Sequence, residues 1–195
     1  MLDAAGVACG FEVARMDSYE VHGARVSSSA VRAALAQGHM DDAARLLGRP
    51  YSISGHVVHG KKLGRELGFR TLNIAFQHDK PAASGIFAVR THGLDAPDDA
   101  PIDGVASLGV RPTVEDAGRV LLEVHCLNWT PPEAGLDSAY GKIIRVELLH
   151  KLHDELKYEG LEALTKGISR DCDNARAFFA AMHTETSRQT TRDRI

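Results

Sequence analysis

The chain has 195 residues, with 23 Lys plus Arg against 26 Asp plus Glu for a formal charge of −3, and it is 44% hydrophobic and 25% charged. That balance excludes a disordered or collagen-like chain, and it argues against binding a nucleic-acid backbone, which needs clustered surplus positive charge. No apolar run approaches the roughly 18 residues of a bilayer span, and the start MLDAAGVACGFEVARMD lacks a basic flank and a long apolar stretch, so a cytoplasmic protein without membrane or nucleic-acid partners, acting as a monomer, is expected.

In chain order, residues 11–26 suggest a short strand or two. SSSAVRAALAQG then offers a serine N-cap before an apolar stripe of Val31, Ala34 and Leu35, closed by Gly38. Asp41 is placed to cap a second short helix that ends at Gly48. This helical hairpin has few large apolar residues and cannot form a core alone, so residues 1–50 read as the end of something larger or as a packing extension of the segment beginning at Tyr51.

From Tyr51 the pattern changes to short alternating runs separated by Gly, Pro and Asp, the signal of antiparallel strands. Six strands are predicted, at 51–59, 71–76, 85–91, 103–109, 120–128 and 142–152. With no long helix between them, they predict a mainly β fold, a six-stranded antiparallel closed β-barrel, since closure removes the exposed edges of a small open sheet. Leu161, Leu164, Ile168, Ala175, Phe178 and Met182 recur near helical spacing and predict a C-terminal helix that lids the barrel, so the main domain spans 51–182. Residues 183–195 are polar and unpatterned and are expected to form a disordered tail.

Several chemical signals sit on this frame. Gly55 to Lys61 fits the first seven positions of a phosphate-binding loop, but Lys62 stands where the metal-ligating hydroxyl belongs and Gly64 interrupts the helix that should come next. A looser argument survives: Gly55, Gly60, Gly64 and Gly68, interleaved with Lys61, Lys62 and Arg65, let backbone N–H groups and cationic side chains approach an anion. A solvated basic hairpin loop is the plainer alternative.

Thr71 and Asn73 are two apart on a strand, so both project to one face, and their oxygens are hard ligands suited to Mg²⁺. A surface hydrogen-bonded pair is the competing explanation. Glu123 lies mid-strand on the same face as Leu121, His125 and Leu127, where it is paired, functional or solvent-facing. Phosphoryl transfer to an alcohol needs such a carboxylate to orient the hydroxyl and take its proton. His56 and His59, three apart, should face opposite ways, and His150 and His153 span a strand end, so neither pair suits a metal. Cys9, Cys126 and Cys172 form neither a metal knuckle nor a disulfide framework and read as three reduced thiols.

Taken in order, LLGRPYSISGHVVHGKKLGRELGF, RTLNI, SGIFAVR, GVASLGVRPTV, LEVHCLN and YGKIIRVELLHKLHDELKY resemble the riboflavin kinase domain of bacterial bifunctional riboflavin kinase/FMN adenylyltransferases. The resemblance implies transfer of the γ-phosphoryl of ATP to the 5′-hydroxyl of riboflavin, giving FMN. It implies Thr71 and Asn73 as Mg²⁺ ligands, Glu123 as catalytic base, and the Gly55 to Arg65 loop (Gly55, Gly60, Lys61, Lys62, Gly64, Arg65) over the ATP phosphates. It also places Arg111, Pro112 and Thr113 in a loop near the flavin, and Asp154 and Glu155 beside the isoalloxazine at the start of the C-terminal helical region. Arg70 and Leu72 depart from the family's Pro-Thr-Ala-Asn motif, and His153 stands where many relatives carry Arg.

The first fifty residues resemble only the end of the adenylyltransferase domain, whose late serine-rich phosphate motif is echoed at Ser28, Ser29 and Arg32. The HxGH motif of that family does not occur, so FAD synthesis by this chain is not expected. Two rivals stand beside the kinase. A flavin-binding module without catalysis would not need the Thr71, Asn73 and Glu123 set. A nucleic-acid-binding barrel is disfavoured by the charge and by 6% aromatic residues.

Overall fold

Strand β7 (Val120–Cys126) shows how the barrel is built: Val120, Leu122, Val124 and Cys126 are buried, while Leu121, Glu123 and His125 between them are only partly covered. Period-two alternation sends one set inward and the other to the outer face. The other barrel strands are β3 (Tyr51–Val58), β4 (Leu72–Ala75), β5 (Gly85–His92), β6 (Ile102–Val110) and β8 (Ile143–His153). The structure, a computed structural model, describes residues 2–14, 20–21, 23–60, 67–75, 81–95, 100–110, 120–130 and 138–192.

The six strands close in the order β3-β4-β7-β6-β5-β8, every neighbouring pair antiparallel. The closing seam pairs β3 with β8, from Tyr51 opposite Leu148 to His56 opposite Ile143. Val57, Ile74, Phe87, Val89, Leu108, Leu122, Val124 and Val146 fill the interior. Burying a side chain of this size contributes roughly 1.5–3 kcal/mol. All six strands correspond to predicted ones.

A second apolar cluster lies outside the barrel. Ala88 and Val105 on the outer face pack against Cys172, Ala175 and Phe179 of a long helix, numbered α4 here (Leu161–Arg192). Leu161, expected on the packed stripe, is exposed instead, because the helix first meets the barrel at Leu164 and Ile168. The helix also runs through Arg192, across ten residues that read as an irregular tail. Thr184 Oγ1 donates to the Ala180 carbonyl one turn back, and extending an established helix costs far less than starting one. Gly167 in mid-helix has a packing reason: a Cβ there would collide with the ring of Tyr158.

At the other end, α1 (Leu2–Cys9) and the two-residue strands β1 (Glu20–Val21) and β2 (Ala24–Arg25) precede α2 (Ser28–Gln37) and α3 (Met40–Leu47). Ser27 Oγ accepts the N–H of Ala30 as N-cap, and Gly38 closes α2 in the left-handed region at φ 76. Asp41 is not the cap of α3; His39 occupies that position without a side-chain bond, and Asp41 sits in the first turn. Leu35, Met40 and Ala43 join the main core, so the hairpin is a packing extension of the barrel.

No helix among the described residues is long and apolar enough to cross a membrane.

Candidate active site

Asn73 on β4 stands opposite Glu123 on β7, and Glu123 stands opposite Ser107 on β6. Directly paired residues share a face with Cβ atoms about 5 Å apart, so one row carries a carboxamide, a carboxylate and a hydroxyl across three strands on the barrel's outer surface. The row continues through Ile86 on β5 to His153 on β8. Thr71, just before β4, joins Glu123, Ser107, His153 and Glu155 around a cleft of about 240 Å³ that α4 roofs with Leu164 and Ile168.

Two glycines make the row possible. A Cβ on Gly60 would collide with the carboxamide of Asn73, which is 7% exposed, so the turn after β3 lies directly on that side chain. A Cβ on Gly109 would meet the carboxylate of Glu155, whose Oε1 accepts the Ser107 hydroxyl at 3.2 Å. Glu155 thus reaches from the coil after β8 to the outer face of β6.

His125 was legible in sequence as a neighbour of Glu123 on the same face, but not its role. Its Nδ1–H donates to the Arg70 carbonyl at 2.9 Å, and its ring meets Phe69 edge-on at 5.6 Å. It thereby fastens the segment carrying Thr71 onto β7.

The histidines of β8 depart from simple alternation. Leu149 and Leu152 are extra residues relative to β5, where Ala88 pairs His150 and Ile86 pairs His153. These two register shifts bring His150 and His153 to the same outer face beneath α4. His150 stacks on Phe178, and His153 Nε2 lies 2.8 Å from Asp171, a buried carboxylate of the helix. Asp171 carries no signal in the sequence, because an acid on a helix has no partner visible in one dimension.

Other expected residues lie elsewhere. Gly55 is inside β3 opposite Ile144, where a Cβ would strike the Ala75 carbonyl, so it serves strand packing and not a loop. Asp154 does not line the cleft; its exposed carboxylate pairs with Lys151 at 2.6 Å, and the Lys151 ammonium holds it below the usual range. It and Glu155 lie in the coil before α4 and not within the helix. Lys61, Lys62, Gly64 and Arg65, and Arg111, Pro112 and Thr113, lie outside the described residues. His56 bonds the Gly141 carbonyl, and His59 packs on Tyr140. Among the described residues no three His, Cys, Asp or Glu side chains gather as a metal cluster.

A larger cleft of about 660 Å³ opens between α2, α3 and the barrel, lined by Ser28, Arg32 and Tyr51 among others. Neither Thr71 nor Glu123 lines it, so the smaller cleft, with Thr71, Glu123 and Ser107 together, is the candidate site.

The riboflavin kinase family model, Flavokinase, matches residues 47–179, which contain the whole barrel, the cleft and the part of α4 that roofs it. The chain belongs to the riboflavin kinase family. It is 40% identical over 179 residues to the bifunctional riboflavin kinase/FMN adenylyltransferase of Escherichia coli strain K12, covering 92% of this chain and 54% of that protein. The Haemophilus influenzae protein of the same name is 37% identical, with 92% and 55% covered, and that of Listeria monocytogenes 33% identical, with 93% and 55% covered. The chain therefore spans about half the length of these relatives. A solved structure of a macrolide-efflux protein from Streptococcus pneumoniae shares the fold at a TM-score of 0.67 and 24% identity, covering 82% of this chain and 49% of that one. In this member of the riboflavin kinase family, Thr71 and Glu123 line the cleft, and the buried Asn73 stands beside Glu123 on the neighbouring strand.

Proposed function

We propose that this chain is a riboflavin kinase, transferring the γ-phosphoryl group of ATP to the riboflavin 5′-hydroxyl to form FMN and ADP. The observation that carries the reading is the Asn73–Glu123–Ser107 row, whose Glu123 and Ser107 line a cleft with Thr71 beneath α4. Glu123 orients the ribityl hydroxyl and takes its proton as the alcohol oxygen forms a bond to the γ-phosphorus and the bond to the β,γ-bridging oxygen breaks. The apolar roof of Leu164 and Ile168 shields one side of the acceptor from water, which favours transfer to the alcohol over hydrolysis.

Thr71 and Asn73 would hold Mg²⁺. Their donors are hard oxygens, and Asn73 is buried against Gly60 with little freedom to turn away, which fits a cation that takes few protein ligands and completes its shell with water and phosphate oxygens. When bound, the ion supplies neutralisation of phosphate charge at a cleft whose walls are themselves acidic at Glu123, Glu155 and Asp171. On this reading the Gly60 turn faces the ATP phosphates and Glu155 contacts the flavin, and residues 61–65 and 111–113 take the phosphate and flavin roles that the resemblance implies. The site works within one copy of the chain, in solution in the cytoplasm, and the formal charge of −3 supports the absence of a nucleic-acid partner.

Incubating the purified chain with riboflavin and MgATP and separating the flavins by chromatography tests this. FMN should accumulate, and no FAD should form from it. Riboflavin binding without FMN would instead mark a flavin-binding module.

A further inference from the structure

His153 closes the end of the cleft remote from Asn73. Its Nε2 lies 2.8 Å from Asp171 Oδ1, and its Nδ1 lies 2.6 Å from the main-chain carbonyl of Asp154. Both partners are acceptors. A carbonyl oxygen cannot donate, so Nδ1 must carry a proton, and the carboxylate calls for a second on Nε2. A neutral ring has one proton and would set a lone pair against one of these oxygens. The geometry is therefore that of an imidazolium. Asp171 is 5% exposed and needs a charged partner, since an isolated buried carboxylate is costly.

The pair joins three pieces: the end of β8, the coil that carries Glu155 and Leu156 into the cleft, and helix α4 above it. Tyr158 of the same coil is seated against Gly167 of α4, one turn before Asp171, so coil and helix already pack as a unit that His153 ties to the barrel. We propose that His153 is a positioning residue for flavin binding, holding α4 and the 154–160 coil against the barrel as a protonated latch that releases when the ring loses its proton. This rests on the riboflavin kinase reading.

The ionisable groups around the ring are Asp171 and Arg170 from α4, Asp154 and Lys151 beside it in the chain, and Glu155, Glu123, His125 and Tyr158 around the cleft. Burial by itself pulls the ring's proton affinity down, but the bonds to Asp171 and the Asp154 carbonyl outweigh it, and the repulsion of Arg170 is smaller, so His153 is held above the ordinary histidine value. A raised folded value means that the latch is fully present below about 6.5, the ordinary histidine value, and is lost as pH rises through the folded value.

The experiment measures riboflavin Kd by quenching of flavin fluorescence, and KM and kcat for riboflavin, from pH 6 to 9.5, with the His153 titration tracked by NMR of the labelled ring. In the wild type, Kd and KM should rise roughly tenfold with a midpoint at the NMR value, the scale of losing one charged hydrogen bond, while kcat moves much less. His153→Gln should show the high KM at every pH. His153→Arg, charged throughout with donors for both acceptors, should keep the low KM and abolish the rise. Thermal melting confirms that each variant is folded. A His153 value at or below about 6.5, a pH-flat Kd in the wild type, or an unaltered profile in folded His153→Gln or His153→Arg would overturn the proposal and leave the kinase reading intact. If no FMN forms, Kd still decides the proposal, and the kinase reading alone fails. Absence of both product and flavin binding overturns both.

Discussion

Asn73 and Glu123 face each other across the β4–β7 ladder, which makes the amide and the carboxylate immediate neighbours although fifty residues separate them. The pairing gives each side chain a distinct duty. The amide, pressed on by Gly60, can hold a cation, while the carboxylate, in the open cleft, can reach an alcohol.

Glu123→Gln keeps the shape of the row and removes the proton acceptor. Turnover should fall by about 10² to 10⁴, with nucleotide affinity retained. Measuring kcat alongside ATP binding checks this; a variant that turns over at the wild-type rate would show that another group takes the proton.

Gly60→Ala tests the cation site without touching a ligand. The added methyl must displace the Asn73 carboxamide, which is enclosed and has little space to yield. The Mg²⁺ concentration for half-maximal rate should rise roughly 10- to 100-fold, the usual scale for disturbing the support of a metal ligand. A titration of initial rate against Mg²⁺ reads it directly.

Gly109→Ala and Gly55→Ala should behave oppositely. At Gly109 the obstacle is the end of the Glu155 side chain, which can swing away, so melting should change little while riboflavin KM rises. At Gly55 the obstacle is the Ala75 main-chain carbonyl, and relief requires moving β4, so stability should drop by about 1–3 kcal/mol or more. Thermal unfolding and flavin kinetics on both variants separate the cases.

Thiol titration should divide the three cysteines. Cys9 is exposed, whereas Cys126 and Cys172 are buried, and burial pushes the Cys126 thiol up to about 12. With the thiolate as the reactive form, one equivalent of Ellman's reagent should react promptly in the native protein and all three in denaturant. Prompt reaction of two or three thiols in the native state would contradict the packing beneath α4 and within the barrel.

Much of the barrel was legible in one dimension because short alternating runs separated by turn residues mark the strands, most cleanly in β7. Val120, Leu122, Val124 and Cys126 read as one face from spacing alone, and that spacing also put Glu123 beside His125. Thr71 and Asn73 read as one strand face by the same spacing, whereas Thr71 lies just before β4 and lines the cleft, and Asn73 within β4 does not. The register shifts in β8 were not legible. An added residue at Leu149 and Leu152 leaves no local mark, because a bulge is set by what the partner strand and the overlying helix require. The placing of His150 and His153 on one outer face, and with it the bond to Asp171, is therefore a product of the tertiary structure.

The sequence by itself determined the closed barrel, its six strands and the residue types for phosphoryl transfer, since hydrophobic period and ligand chemistry are properties of short segments. The tertiary structure alone decided which of these residues meet: Asn73 with Glu123 through strand order, Glu155 with Ser107 through the space left at Gly109, and His153 with Asp171 through the bulged end of β8. Such meetings depend on cross-strand register and on a helix docking against an outer face, and both are fixed by packing between segments far apart in the chain.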